Sequence, residues 1–164
     1  LVALVQVALD LARALAASHD VQLAVSTGPD LPMLRADKQR AVQVLHNLVI
    51  NAIQHAPRGT VVEVRLHRAT LPDRAAVEFL VLDRGPGFRN GDEARIFEPF
   101  FSRRAGGTGM GLALAHRLVH ALHERRTERD VRHEMSVHDI QVQPIGTAAI
   151  DVFDLQRERA EIGG

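Results

Sequence analysis

Apolar positions along this chain keep two rhythms. From Leu1 to Ala17 they recur at helical spacing, with Leu4, Leu11 and Leu15 on one side, and Ser18-His19-Asp20 closes the run. A second helical stretch runs from Asp37, a residue suited to cap it, to about His55; Val42, Leu45, Val49 and Ala52 form its inner face and Pro57 lies beyond its end. Between the two, Val21-Gln22-Leu23-Ala24-Val25 alternates as a strand does, and Gly28-Pro29-Asp30-Leu31-Pro32 reads as a turn. Alternation returns in Val61–Leu66 and Val77–Leu82, and the turn signal at Pro72-Asp73 predicts that they form a hairpin. A third helix is expected from about Met110 to Leu122, and a closing hairpin from Ile140–Gln143 and Ala148–Phe153. The order helix, strand, helix, two strands, helix, two strands predicts a mixed sheet with helices on one face.

Composition narrows the picture. The 164 residues suffice for one domain with a real core, and 46% of them are hydrophobic. The formal net charge is zero, so no global field points to nucleic acid or to a membrane surface. With no cysteine there is neither a disulfide framework nor a thiolate metal site. Leu1 opens the chain without a basic n-region, so no signal peptide is expected, and the absence of an initial Met is what a piece of a longer protein would show. Gln6, Asp10 and Arg13 interrupt the first apolar run, which is therefore expected to be an amphipathic helix and not a membrane span. Residues 123–139 are densely charged and read as a solvated excursion.

Candidate chemistry lies in four short segments. Asn47 and Asn51 stand four apart on the second helix and share a face. Two carboxamide oxygens there suit a magnesium site completed by phosphate and water, or are simply surface amides; His55, one turn on, either approaches the same ligand or closes the helix. Asp83 ends a strand and is followed by Arg-Gly-Pro-Gly. Its carboxylate could accept a hydrogen bond from an exocyclic amine while Gly85 and Gly87 let backbone approach a flat ring; an ordinary turn is the other reading. Phe97, Phe100 and Phe101, around Pro99, offer a hydrophobic anchor for a loop with little else to bury, or plain core packing. Gly107, Gly109 and Gly111 alternate just before the third helix and could present amides to phosphate. Arg103 and Arg104 precede them, to meet phosphate charge or to solvate the loop. No Gly-Lys-Ser/Thr follows, so this is not a P-loop.

In this order the segments resemble the N, G1, F and G2 boxes of the catalytic ATP-binding domain of bacterial sensor histidine kinases, a family within the larger group of gyrase-type topoisomerases, mismatch-repair ATPases and anti-sigma kinases. The boxes are Asn47–Ala52, Asp83–Gly87, Ile96–Phe101 and Gly107–Leu112, and the likeness covers roughly residues 20–122. The resemblance implies an α/β (α+β) two-layer sandwich of the Bergerat type, with ATP and Mg2+ held between the second helix and a lid from about Ser102 to Thr108. It implies Asn51 as magnesium ligand, with Asn47 a second candidate, Asp83 as reader of the adenine amine, and the G2 glycines as phosphate cradle. Phe101, Arg103, Thr108, Met110 and Leu112 would complete the nucleotide site, and Asn47, Asn51 and His55 the catalytic face.

Hydrolysing relatives usually carry a glutamate where this chain has Asn47. An amide cannot take a proton from water, which favours transfer to an external acceptor. The resemblance makes that acceptor a histidine on a dimerisation domain, and the next partner a response-regulator receiver domain. A non-catalytic nucleotide-sensing or interaction module, and an ATPase or anti-sigma serine kinase, are the alternatives. Gln54 stands where the family often has Lys, and His123-Glu124-Arg125-Arg126 where it has Gly-Gly. His123–Thr127 lacks the proline and the apolar pattern of a phosphoacceptor motif, so the phosphoacceptor is expected outside this chain. The expected organisation is residues 1–19 as the end of the dimerisation hairpin or a linker, 20–155 as the ATP-binding domain and 156–164 as a tail. The domain is expected to be monomeric and cytoplasmic, without direct membrane contact or nucleic acid.

Overall fold

A computed structural model describes residues 1–31, 37–71, 74–89, 91–92, 95–104, 106–118, 137–143 and 147–154. Helix α1 (Val2–His19) ends as Asp20 turns into the left-handed region at φ 56°, and its N–H caps the carbonyls of Ala16 and Ala17. Strand β1 (Gln22–Thr27) follows. Helix α2 (Lys38–His55) starts at Asp37, whose carboxylate accepts from the Gln39 and Arg40 amides at 3.1 and 3.2 Å, as the sequence led us to expect. Strands β2 (Val61–Leu71) and β3 (Arg74–Leu82) form the expected antiparallel hairpin, in register from Glu63↔Leu82 to Leu71↔Arg74. Helix α3 occupies residues 111–118, and β4 (Val137–Gln143) and β5 (Thr147–Asp154) close the sheet as an antiparallel pair.

The strand order is β1-β2-β3-β5-β4, with β1 parallel to β2 and every other pair antiparallel. This is the mixed sheet the element order implied. Alternation sets which face is buried: Val62, Val64 and Leu66 of β2 and Val77, Phe79 and Val81 of β3 point inward, while Val61 and Arg65 are exposed. The helices cover that inner face. Leu45, Leu48, Val49, Ala52 and Ile53 of α2 lie in one apolar cluster with the strand residues and with Leu112 and Ala115 of α3.

Two expectations need correction. Val5, Ala8, Leu9, Ala12 and Ala16 of α1 belong to that same cluster, so the packing has no division at residue 19. By length and composition α1 alone among the described residues could cross a membrane, yet these five side chains are buried within the domain. The charged segment also ends earlier than expected, since Val137–Asp139 already belong to β4. Residues 119–136, including the His123–Thr127 motif and the expected end of the third helix, and the tail from 155 lie outside the described residues.

Candidate functional site

One cleft of about 410 Å3 opens between α2, the turn after β3, and the loop leading into α3. From α2 it takes Asn47, Ile50, Asn51, Gln54 and His55, which lie on one face because their spacing follows the helical repeat. The turn after β3 supplies Asp83, Gly87 and Phe88. The far wall comes from Phe101, Ser102, Arg103, Arg104, Gly107, Thr108 and Gly109, and α3 contributes Gly111 and Leu112. Of the residues singled out in the sequence, Gly85, Phe97, Phe100 and Met110 do not line it.

Gly85 has a different task from the one expected. Its N–H donates to Asp83 Oδ1 at 2.6 Å, and a Cβ there would sit 2.8 Å from the His55 carbonyl oxygen. The glycine therefore lets the turn lie against the end of α2 and fixes the Asp83 side chain from behind. Burial pushes the Asp83 carboxyl above its ordinary range, against the opposing pull of the Gly85 N–H and the nearby His55. Gly87, at φ 70°, turns the chain along the cleft wall.

Gly109 is required twice over. Its φ is 62°, and a Cβ would come within 2.5 Å of the Phe100 carbonyl carbon and 2.6 Å of the Phe101 oxygen. The Phe100 N–H donates to the Gly109 carbonyl at 3.1 Å, so the two ends of the 102–108 loop are joined at its root. The Gly107 N–H is donated to the Arg104 carbonyl at 3.0 Å. The amides at the start of α3 have no preceding helical turn to bond to, and Gly111 and Leu112 bring them to the cleft.

The three phenylalanines divide. Phe97 and Phe101 pack against the core, and Phe97 stacks on His116 of α3 with centroids 4.5 Å apart. Phe100 is not part of the anchor. It is 78% exposed and holds a φ of 68°, a backbone region unfavourable for a side chain of that size.

Two features had no signal in the sequence. Asn47 Nδ2 is buried without a hydrogen-bond partner among the described residues. Asp92, which the sequence did not single out, is 4% exposed and accepts two hydrogen bonds from Arg103, Nε to Oδ2 at 3.0 Å and Nη2 to Oδ1 at 2.7 Å. Those bonds hold the Asp92 carboxyl below the usual range and the Arg103 guanidinium above its own.

Known proteins share this architecture. Residues 36–150 match the family described as Histidine kinase-, DNA gyrase B-, and HSP90-like ATPase. The chain belongs to that family, as an ATP-binding domain of the kind that sensor histidine kinases carry. It is 37% identical over 102 residues to the sensor histidine kinase ZraS of Escherichia coli, a match covering 62% of this chain and 21% of that protein. The chain thus spans about a fifth of the length of the curated relatives it matches. Among solved structures, the mycobacterial sensor histidine kinase MprB matches with a TM-score of 0.66 at 25% identity, over 96% of this chain and 95% of that one. Such coverage is too large to leave α1 out. Full-length ShkA in complex with AMPPNP matches with a TM-score of 0.64 at 27% identity, over 94% of this chain and 30% of that one.

Proposed function

We propose that this chain binds Mg-ATP in the cleft and passes the γ-phosphate to a histidine on a dimerisation domain of the parent kinase, which then phosphorylates a response-regulator receiver domain. The observation that carries this reading is the convergence of Asn47, Asn51, Asp83 and the start of α3 on one cleft. Asp83 would accept from the adenine amine, oriented by the Gly85 N–H. The amides opening α3 would face phosphate oxygens, where the helix end favours negative charge.

The chemistry of the α2 face fits a hard cation. Asn47 and Asn51 offer neutral carboxamide oxygens to it, while the Asn47 Nδ2, a donor buried without a partner among the described residues, suits an acceptor such as a phosphate oxygen and not the cation. Asn51, with Asn47 beside it, would hold magnesium, which when bound neutralises charge on the phosphates. Asn47, standing where a water-activating glutamate would, cannot take a proton, and both Asp92 oxygens are engaged by Arg103. Transfer to an acceptor brought by the partner domain is then favoured over hydrolysis, with positioning and charge stabilisation supplying the rate. The domain would work in the cytoplasm, where ATP is.

Gln54 in the cleft supports a second reading, a nucleotide-sensing module, because an amide gives phosphate no charge. Calorimetric titration with ATP, with magnesium and with chelator, beside Asp83→Ala, tests the site. Magnesium-dependent binding lost in the variant is expected, followed by transfer to a supplied hairpin domain. Binding without transfer favours the sensing module, and no binding by the intact chain refutes the nucleotide reading.

A further inference from the structure

Asp92 joins its own turn, through its backbone, to the lid, through its carboxylate. Its own backbone organises the turn before Phe97: the Asp92 carbonyl accepts from the Arg95 and Ile96 amides at 2.8 and 3.0 Å, and its N–H donates to the Arg89 carbonyl at 2.9 Å. Its side chain receives the Arg103 fork from the lid. The Arg103 guanidinium lies 5.7 Å from the centroid of the Phe101 ring, which Arg95 also covers at 4.5 Å. The floor of the cleft, the phenylalanine anchor and the start of the lid are thereby tied together.

An arginine at a lid can hold phosphate or hold the protein, and here the two uses compete. The Asp92 side chain is 6% exposed, so moving Arg103 to a phosphate would take both Arg103 hydrogen bonds from a poorly solvated carboxylate and leave it only the charges of Arg89 and Arg95, a costly exchange. Its neighbour Arg104 lines the same cleft and has no ion-pair partner among the described residues. We propose that Asp92 and Arg103 form a fixed positioning pair that roots the lid, that Arg103 is not a phosphate ligand, and that Arg104 is the lid cation left for the nucleotide. The inference rests on the nucleotide reading of the cleft.

The purified chain and its Asp92→Asn, Arg103→Ala, Arg103→Lys and double Asp92→Asn/Arg103→Ala variants would be titrated with ATP and with ADP. Amide hydrogen exchange at Phe100 and Gly107 would be followed without nucleotide. A rooted lid gives the same loss in both single variants, about five- to tenfold in affinity, with no further loss in the double variant. The loss is shared by ATP and ADP, and Arg103→Lys does not restore it, because an ammonium cannot offer a fork. Both amides exchange faster in each variant. A phosphate ligand gives the opposite pattern: Arg103→Ala weakens ATP more than ADP, Arg103→Lys recovers binding, and Asp92→Asn, by freeing the arginine, tightens ATP. That pattern would overturn the proposal. If the intact chain binds no nucleotide, the reading of the site fails, and the exchange rates still decide the pair: unchanged protection in every variant would refute it.

Discussion

Asp83 carries the sharpest conflict at the scale of single residues. Burial raises its carboxyl above the ordinary 3.8, so the folded chain holds that proton more tightly than the unfolded chain does. By linkage the domain loses stability as pH rises from 3.8 through the raised value, and the full cost is present at neutral pH. Asp83→Asn removes the charge and should leave stability at pH 7 equal or higher in chemical denaturation. It should also weaken ATP roughly tenfold or more, since a charge-assisted hydrogen bond is lost. In the unaltered chain, affinity should begin to fall on acidification at a higher pH than an ordinary carboxylate would give. A variant that lost stability and kept affinity would make Asp83 a structural residue. Asn47 is the other informative position. Asn47→Glu puts a base where water could be activated, and the expected outcome is a rise in phosphate release from ATP; no rise would count against the absence of a base as the reason for transfer.

At the scale of elements, the sequence was most legible where one rhythm met one environment. The α2 boundaries followed from Asp37 and Pro57, and the inward faces of β2 and β3 from simple alternation. The lid was harder, because its order depends on contacts between residues distant in sequence. Nothing in the polar run around Asp92 announces a buried acid, since its hydrogen-bonding partner is Arg103, eleven residues on. Likewise Gly85 was read as giving room to a flat ring and Gly109 as presenting an amide to phosphate, but one lies against the end of α2 and the other closes the lid root. Gly109→Ala should therefore act on the lid. Its left-handed φ alone costs about 1–2 kcal/mol, and the added carbon would meet backbone, which cannot swing away. The expected result is faster exchange at the Phe100 amide and a loss of ATP affinity, while exchange in β2 and β3 stays slow. Equal acceleration in the strands would mean that the lid root is part of the cooperative core.

The whole molecule turns on α1. Its helical rhythm was legible in the sequence, but the side read from Leu4, Leu11 and Leu15 includes Leu11, which is 61% exposed, and periodicity does not tell which surface covers an apolar face; residues 1–19 therefore read as the end of a dimerisation hairpin or a linker. In the structure that face is covered by this domain. Val5, Ala8, Leu9, Ala12 and Ala16 are buried in the cluster that α2 shares with the sheet. Returning those side chains to water would cost on the order of 5 kcal/mol, and would also bare the apolar surface of α2 that they cover. Since a domain of this size holds about 5–15 kcal/mol in total, removal of residues 1–19 should abolish the cooperative thermal transition and leave a chain that exposes apolar surface. A milder pair of variants separates packing from mere helix content. Leu9→Ala, at a position 3% exposed, should cost about 2–5 kcal/mol, whereas Leu11→Ala, at a position 61% exposed, should change stability by less than about 0.5 kcal/mol. Both leucines belong to the same helical run in the sequence, so the difference between the two melting curves measures what the fold adds. If residues 20–164 alone melted as sharply as the intact chain, α1 would be an appendage and the ATP-binding domain would begin at β1.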